Sequence, residues 1–169
     1  MALVPEDGTG LSTADSLCAR AFADAYLLSV GLSTNWLASD TDGAKRDAAL
    51  RIASIVVSEW EPEWLGCQLT TAQAFAWPRV GPNRVGASLA VSGQAAPTRI
   101  LNLVCEVAYL QKTAAAFTKA ESQNISGVVV GPLEVDYDLA RSASKRYRQL
   151  DRLAKLFTAP GGLSFVSSN

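Results

Sequence analysis

The chain has 169 residues, of which 49% are hydrophobic and 18% are charged, with a formal net charge of −1. This composition allows the packed core of one ordinary domain and argues against global disorder and against a strongly basic nucleic-acid-binding domain. The charge is unevenly distributed, because residues 1–140 hold nine Lys and Arg against fifteen Asp and Glu, whereas residues 141–155 hold six cations and one acid. We therefore predict a domain over 1–140 and a basic C-terminal extension over 141–169 that serves as an interaction segment.

Helical periodicity predicts two helices in the first 60 residues. An extended arm, 1–13, precedes a first helix that begins near Ser12 to Asp15 and ends before Gly31. A second helix follows from about residue 40 and stops before Pro62. Apolar residues three and four apart define the predicted inner faces, which are Leu17, Ala21, Ala25 and Leu28 in the first helix and Ala49, Ile52, Val56 and Trp60 in the second.

The strongest helical pattern begins after Pro97 and fades near Gln123. Its wide, Ala-rich stripe is typical of the central helix of a bundle and consists of Ile100, Leu103, Val104, Val107, Leu110, Ala114 and Phe117. A short helix is predicted in the second half of 141–157. The sequence therefore predicts a mainly α fold: a small bundle of three main helices with one β-hairpin and an extended C-terminal segment that contains a short helix.

A long loop region, 62–97, separates the second and third helices and contains four prolines and four glycines. Loops of this length in compact domains are usually functional or disordered. Phe75, Trp77 and Arg79 are the candidate loop anchors at its centre. Buried aromatics would pin the loop onto the helices, whereas Trp and Arg are also favoured where a protein faces a neighbouring molecule.

Residues 125–138, ISGVVVGPLEVDYD, predict a β-hairpin. Two runs of high strand propensity meet at Gly131-Pro132, which breaks them. In the second run apolar residues alternate with acids, so one face is apolar and the other is acidic. A lone hairpin is marginally stable in water, and we therefore expect this one to have a partner surface.

Catalytic and metal-binding motifs are missing from the sequence. Histidine is absent, and the widely spaced Cys18, Cys67 and Cys105 are odd in number, which excludes a Cys/His zinc site and argues against a disulfide framework. We find no phosphate-binding glycine loop and no nucleophile elbow. We expect no enzymatic activity, no metal and no cofactor. The N-terminus lacks the features of a signal peptide, and no apolar run is long enough to predict a membrane span.

The basic stretch 141–155 supports three interpretations. Its cations and one aromatic residue are candidate contacts for a partner: Arg141, Lys145, Arg146, Tyr147, Arg148 and Arg152. Such residues bind single-stranded nucleic acid through phosphates and stacking, and they also dock onto acidic protein surfaces. In the third interpretation they are the solvated face of a helix whose Leu150, Leu153 and Phe157 pack inward.

Six segments occur in an order that resembles one protein family. They are ALVPEDGTGL, ADAYL, AKRDAALRIAS, QAFAWPR, the helix led by Pro97 and VGPLEVDY, and together they span roughly residues 2–140. The sequence resembles the head–tail connector proteins (neck adaptor or head-completion proteins) of tailed bacteriophages. Related sequences are often labelled DnaT-like single-stranded-DNA-binding proteins.

The resemblance implies a structural virion protein without catalytic activity. Its subunits would form a homo-oligomeric ring, typically a dodecamer, beneath the portal protein in the neck of the virion, after synthesis in the host cytoplasm. The ring would extend the channel for double-stranded DNA and provide a platform for the next neck or tail protein. The basic extension would face the portal. The hairpin edges of adjacent subunits would complete each other, which places six residues at the subunit interface: Val128, Val129, Val130, Leu133, Val135 and Tyr137.

The alternative is a single-stranded-DNA-binding accessory protein that acts in replication through its basic C-terminal extension. It predicts DNA binding by the free subunit that weakens steeply with salt. The connector interpretation predicts little DNA affinity in the free subunit.

Overall fold

The computed structural model describes residues 2–38, 40, 43–59, 64–90, 94–114, 127–130, 133–136 and 148–159. These ranges contain five helices: α1 Arg20–Ser29, α2 Ser33–Leu37, α3 Ala44–Glu59, α4 Thr98–Ala114 and α5 Arg148–Ala154. They also contain four short strands: β1 Cys67–Gln68, β2 Arg79–Val80, β3 Gly127–Val130 and β4 Leu133–Asp136. The prediction of a mainly α fold with three main helices, here α1, α3 and α4, is confirmed.

α4 is the central helix of the bundle and contacts each of the other four helices. Its predicted inner face is confirmed at Ile100, Leu103, Val104 and Val107, which are completely buried. A helix surrounded by others must bury a wide apolar face, and the stripe after Pro97 has that width. None of the helices in the described ranges combines the length and the hydropathy that a membrane span requires.

α1 begins at Arg20, later than predicted, and Asp15, one of the expected capping residues, makes other bonds. The carboxylate of Asp15 accepts a hydrogen bond from the Val4 backbone N–H at 2.7 Å and pairs with Arg51 at 2.8 Å. The N-cap is Ala19, whose side chain cannot cap the helix. The polar residues before α1 thus tie the N-terminal arm to α3 instead of starting the helix.

The predicted inner faces of α1 and α3 are correct only in part: Leu17, which precedes α1, and Ala49 in α3 are buried, whereas the rest of each buried face is displaced by part of a turn, and Trp60 lies outside the described residues. In α1 the buried residues are Ala23 and Leu27, whereas Leu28 is 65% exposed. In α3 the apolar buried residues are Ala49, Leu50, Ala53 and Val57. Both helices are rich in alanine, so two overlapping stripes fit the helical period. The packing partner decides between them.

The region predicted as a long loop contains a strand pair. β1 and β2 are antiparallel, with Cys67 opposite Val80 and Gln68 opposite Arg79. Each strand is two residues long, which is too short to produce a periodic signal in the sequence.

The predicted hairpin is present as β3 and β4. The strands are antiparallel, with Val128 opposite Val135 and Val130 opposite Leu133. Within the described residues this sheet has two strands. Tyr137 and the connecting residues 131–132 lie outside the described part of the chain.

Candidate nucleic-acid interface

α5 divides the C-terminal segment into a buried side and a cationic side. Leu150, Ala154 and Phe157 belong to the core, whereas Arg152 and Lys155 are exposed. Arg152 lies in the last turn of α5 and Lys155 is the first residue after the helix, so both exposed cations are at its C-terminal end. Of the other predicted contacts, Arg148 lies in the first turn of α5, and Arg141, Lys145, Arg146 and Tyr147 lie outside the described residues.

The three candidate loop anchors face the interior of the protein. The ring of Trp77, which is completely buried, stands edge-on to Trp64 at 5.7 Å and to Phe157 at 6.0 Å between centroids. Phe75, two residues before Trp77, is buried and belongs to the same hydrophobic core. These aromatics are therefore out of reach of a neighbouring molecule.

Arg79 is also buried, and its guanidinium group holds the loop together. It donates to the backbone carbonyls of Leu65 at 2.9 Å, Ala76 at 3.1 Å and Gly66 at 2.7 Å. A buried charge requires hydrogen-bond partners, and three carbonyl groups of the loop provide them. The interface interpretation of Arg79 has no support in this geometry.

Several cations of the acidic body are engaged in internal ion pairs. Arg46 donates to Asp24 and Asp40, each at 2.9 Å. Arg20 pairs with Asp47 at 3.3 Å, and Arg51 pairs with Asp15 at 2.8 Å. Lys112 donates to the carbonyls of residues 35 and 38 at the end of α2. These cations are committed to the fold. Exposed cations of the described ranges include Lys45, Arg99, Arg152 and Lys155, and of these four the last two belong to the basic stretch 141–155.

Asp40 is the acceptor at the centre of the largest of these networks. Burial acts to raise its pKa, but hydrogen bonds from the backbone N–H groups of Lys45 and Arg46 and from the Arg46 guanidinium lower the pKa below its ordinary value. The two backbone bonds, 3.1 and 2.9 Å long, satisfy N–H groups of the first turn of α3. This carboxylate therefore serves the fold and is no candidate acid or base.

A tight turn that the sequence did not single out lies beside α5. We call residues 82–88 the Arg84 turn. The backbone N–H of Arg84 donates to the Leu156 carbonyl at 3.0 Å, and its Nε donates to the Thr158 carbonyl at 2.7 Å. The Pro82, Asn83 and Gly86 pattern signals a turn, but the sequence contains nothing that places the turn against the C-terminal segment.

An open cleft of about 590 Å³ lies between the N-terminal arm, α1 and α3. Its lining is mostly small and apolar, and its charged residues are Arg20, Asp24 and Asp47. All three take part in the ion pairs described above. In the part of the chain that the structure describes, no three potential metal ligands lie together.

Together these features define a small helical protein with an acidic body and exposed cations at its C-terminal helix. The chain belongs to the family described as "Putative DnaT-like ssDNA binding protein", whose model matches residues 1–167. No curated protein and no solved structure shows significant similarity to the chain. The family match agrees with the DnaT-like label that accompanied the resemblance, extends over the basic segment, and gives no support to the phage connector assignment.

Proposed function

We propose that this protein is a single-stranded-DNA-binding accessory protein that holds the phosphate backbone with the basic stretch 141–155. The observation that carries the proposal is the orientation of α5 and the turn that follows it, which buries Leu150 and Phe157 and leaves Arg152 and Lys155 exposed. The description of its family supports the same function. Binding of this kind involves no catalysis and needs no cofactor.

The burial of the aromatic residues that the structure describes favours an electrostatic mode of binding. Proteins that bind single strands usually stack bases on exposed aromatic rings. Here Trp36, Trp64, Phe75, Trp77 and Phe157 are all buried. Phosphate contacts should therefore dominate, with Tyr147 as the candidate for stacking within the basic stretch. Affinity that arises mainly from phosphate contacts falls steeply with salt.

The test is a pair of charge-removing substitutions. The double variant Arg152→Gln/Lys155→Gln should bind a fluorescently labelled oligo(dT) about tenfold or more weakly in fluorescence anisotropy, and the slope of log K against log salt should fall by about 0.7 for each lost contact. Lys45→Gln, at an exposed position in the first turn of α3, is the matched control. Equal binding by the wild type and the double variant would refute the role of α5.

Deletion of 141–169 would be a poor test. α5 contributes Leu150 and Ala154 to the core, and the turn after it contributes Phe157, so a truncated chain would lose binding through unfolding as well as through lost charge. Both substituted residues are exposed, so the double variant changes the charge and leaves the core intact.

The second candidate is the connector ring subunit. The two-stranded sheet of β3 and β4 favours it, because strand edges complete each other when subunits associate. The sequence resemblance over residues 2–140 points in the same direction. In this candidate the ring docks on a portal protein and passes double-stranded DNA without sequence recognition.

Cryo-electron microscopy of the protein alone and with a candidate portal protein distinguishes the two functions. A ring seated on the portal, with β3 or β4 of each subunit against its neighbour, would establish the connector. A protein that stays off the portal and binds single-stranded DNA at physiological salt would establish the accessory function.

A further inference from the structure

The Arg84 turn and the C-terminal segment form one continuous surface. The two hydrogen bonds from Arg84 end on carbonyls of residues 156 and 158, on either side of Phe157. Lys155 directly precedes Leu156, and Arg152 lies three residues before Lys155; both cations are exposed. Three cations from chain positions about 70 residues apart are thus brought to the same region of the surface.

The guanidinium group of Arg84 is held in place but retains binding capacity. Its Nε is used by the Thr158 carbonyl, whereas its two Nη groups make no hydrogen bond or ion pair with any residue in the described ranges. A guanidinium group offers five N–H donors in a planar fork that matches the oxygens of a phosphate. Because one donor fixes the orientation, the remaining donors are available to a ligand at little cost in side-chain entropy.

Hydrogen bonds of Asn83 close the turn, which presents an apolar side chain at its tip. The Asn83 side-chain oxygen accepts hydrogen bonds from the backbone N–H groups of Val85 at 2.9 Å and Ala87 at 3.0 Å. The Asn83 backbone N–H also donates to the Ala87 carbonyl at 2.7 Å, and Gly86 has the positive φ of 80° that the turn requires. Val85 is 72% exposed, the most exposed large aliphatic residue recorded in the described ranges.

We propose that the Arg84 turn is a second nucleic-acid contact that extends the cationic surface of α5. In this arrangement Arg84, Arg152 and Lys155 contact phosphates of one single strand, and Val85 packs against a sugar or base. Charge complementarity selects this occupant, since a polyanion gains affinity from each cation separately, whereas the core of a protein interface is rich in aromatic residues. The proposal rests on the proposed function.

The experiment measures anisotropy of fluorescein-labelled oligo(dT) between about 50 and 200 mM salt. Arg84→Gln should weaken binding about three- to tenfold and lower the salt slope by about 0.7, while Lys45→Gln leaves both unchanged.

The control residue Lys45 lies far from the C-terminal segment. Trp64 Nε1 donates to the Val57 carbonyl in the last turn of α3, and Leu65 N donates to the Phe157 carbonyl. Lys45 is therefore at the other end of α3 from the C-terminal segment, roughly 20 Å away at 1.5 Å per residue.

A second variant avoids the structural bond of Arg84. Val85→Asp places a negative charge on a residue that is already exposed, so it should leave the fold intact and weaken binding about tenfold by repulsion. Leu28→Asp makes the same change at a 65% exposed position on α1 and should bind like the wild type. Thermal unfolding of all four variants verifies the fold.

The outcomes separate the two proposals. If the wild type binds the oligonucleotide and Arg84→Gln and Val85→Asp bind no more weakly than their controls, the Arg84 turn is no contact and α5 alone remains. If the wild type itself does not bind at about 50 mM salt, the proposed function fails, and this inference fails with it.

Discussion

The buried carboxylate of Glu6 organises the N-terminal segment. It accepts hydrogen bonds from the backbone N–H groups of Gly8 at 3.0 Å, Gly10 at 2.9 Å and Leu11 at 2.8 Å, and the residue is 5% exposed. Gly8 has a φ of 97°, and a Cβ atom there would lie 2.6 Å from the Gln94 carbonyl oxygen. The EDGTG sequence is therefore a folded loop packed against residue 94, where an extended arm was predicted.

Glu6→Gln should destabilise the protein by about 2 kcal/mol, because hydrogen bonds to a charged acceptor are worth about 1.5–3 kcal/mol each and the amide offers fewer acceptor sites. Urea unfolding followed by tryptophan fluorescence measures the loss. Asp7→Asn is the control: Asp7 accepts hydrogen bonds from the backbone N–H and the hydroxyl of Thr9 and is exposed, so this variant should lose less. Equal losses of stability in the two variants would show that the buried Glu6 carboxylate stabilises the fold no more than the exposed Asp7 carboxylate does.

The three cysteines differ sharply in accessibility. Cys67 is exposed, whereas Cys18 and Cys105 are buried with their sulfur atoms 3.7 Å apart. The contact with the Cys18 thiol, followed by burial, raises the pKa of the Cys105 thiol well above its ordinary value. Because the thiolate is the reactive form of cysteine, both the raised pKa and the burial suppress the reactivity of Cys105.

Alkylation with iodoacetamide at pH 8 should therefore modify Cys67 rapidly in the native protein, and Cys18 and Cys105 only after unfolding. Peptide mass spectrometry resolves the three sites. The variant Cys67→Ser should show no rapid phase, and rapid modification of Cys105 in this variant would mean that the core opens readily.

At the scale of secondary-structure elements, α3 depends on a cap that lies outside the helix. Asp40 accepts the first-turn N–H groups of Lys45 and Arg46 and pairs with the Arg46 side chain. Arg46 also contacts Asp24, which in turn accepts the Trp36 Nε1 proton at 2.6 Å. One network thus joins α1, α2 and the start of α3.

Asp40→Asn should lower the free energy of unfolding by about 2 kcal/mol at pH 7, because it removes the charged cap of α3. It also leaves Asp24 as the remaining carboxylate partner of Arg46. The folded-state pKa of Asp40 is below its ordinary value of 3.8. Its stabilisation is therefore fully present above pH 3.8 and is lost as the pH falls through the lower, folded-state pKa. The difference in thermal stability between the wild type and the variant should shrink as the pH is lowered below 3.8, and a difference that stays constant on acidification would contradict the role of the charge.

At the scale of the whole molecule, the C-terminal segment completes the core. α5 packs on α4, and the rings of Trp64, Trp77 and Phe157 join the loop region to the residues after α5. A backbone hydrogen bond joins the same two segments, since Leu65 N donates to the Phe157 carbonyl at 2.8 Å. The basic residues of α5 are thus carried on a segment that the body holds firmly.

Phe157→Ala should destabilise the protein by about 3–5 kcal/mol, because it removes a buried ring and leaves a cavity beside Trp77. Leu156→Ala, at a half-buried neighbouring position, should cost clearly less. Chemical denaturation measures both, and the fluorescence of Trp77 should change in the first variant. Similar costs for the two variants would mean that Phe157 packs loosely.

The sequence by itself determined the mainly α class, the face of α4 and the hairpin. These features depend on local signals: a stripe that recurs at 3.6 residues over 17 residues of α4, and a run of three valines and an alternating apolar and acidic run on either side of Gly131-Pro132. It also located the basic stretch, because charge distribution is a property of the sequence alone.

Only the tertiary structure decided which side of α1 and α3 is buried, what Trp77 and Arg79 contact, and where Arg84 lies. An alanine-rich helix has more than one acceptable face, and its partner selects one. An arginine in a loop has the same sequence signature whether it binds three carbonyls inside the fold, as Arg79 does, or lies exposed beside α5, as Arg84 does. Contacts between residues more than 70 positions apart leave no periodic trace, so the folded chain was needed to place the Arg84 turn beside the cations of α5.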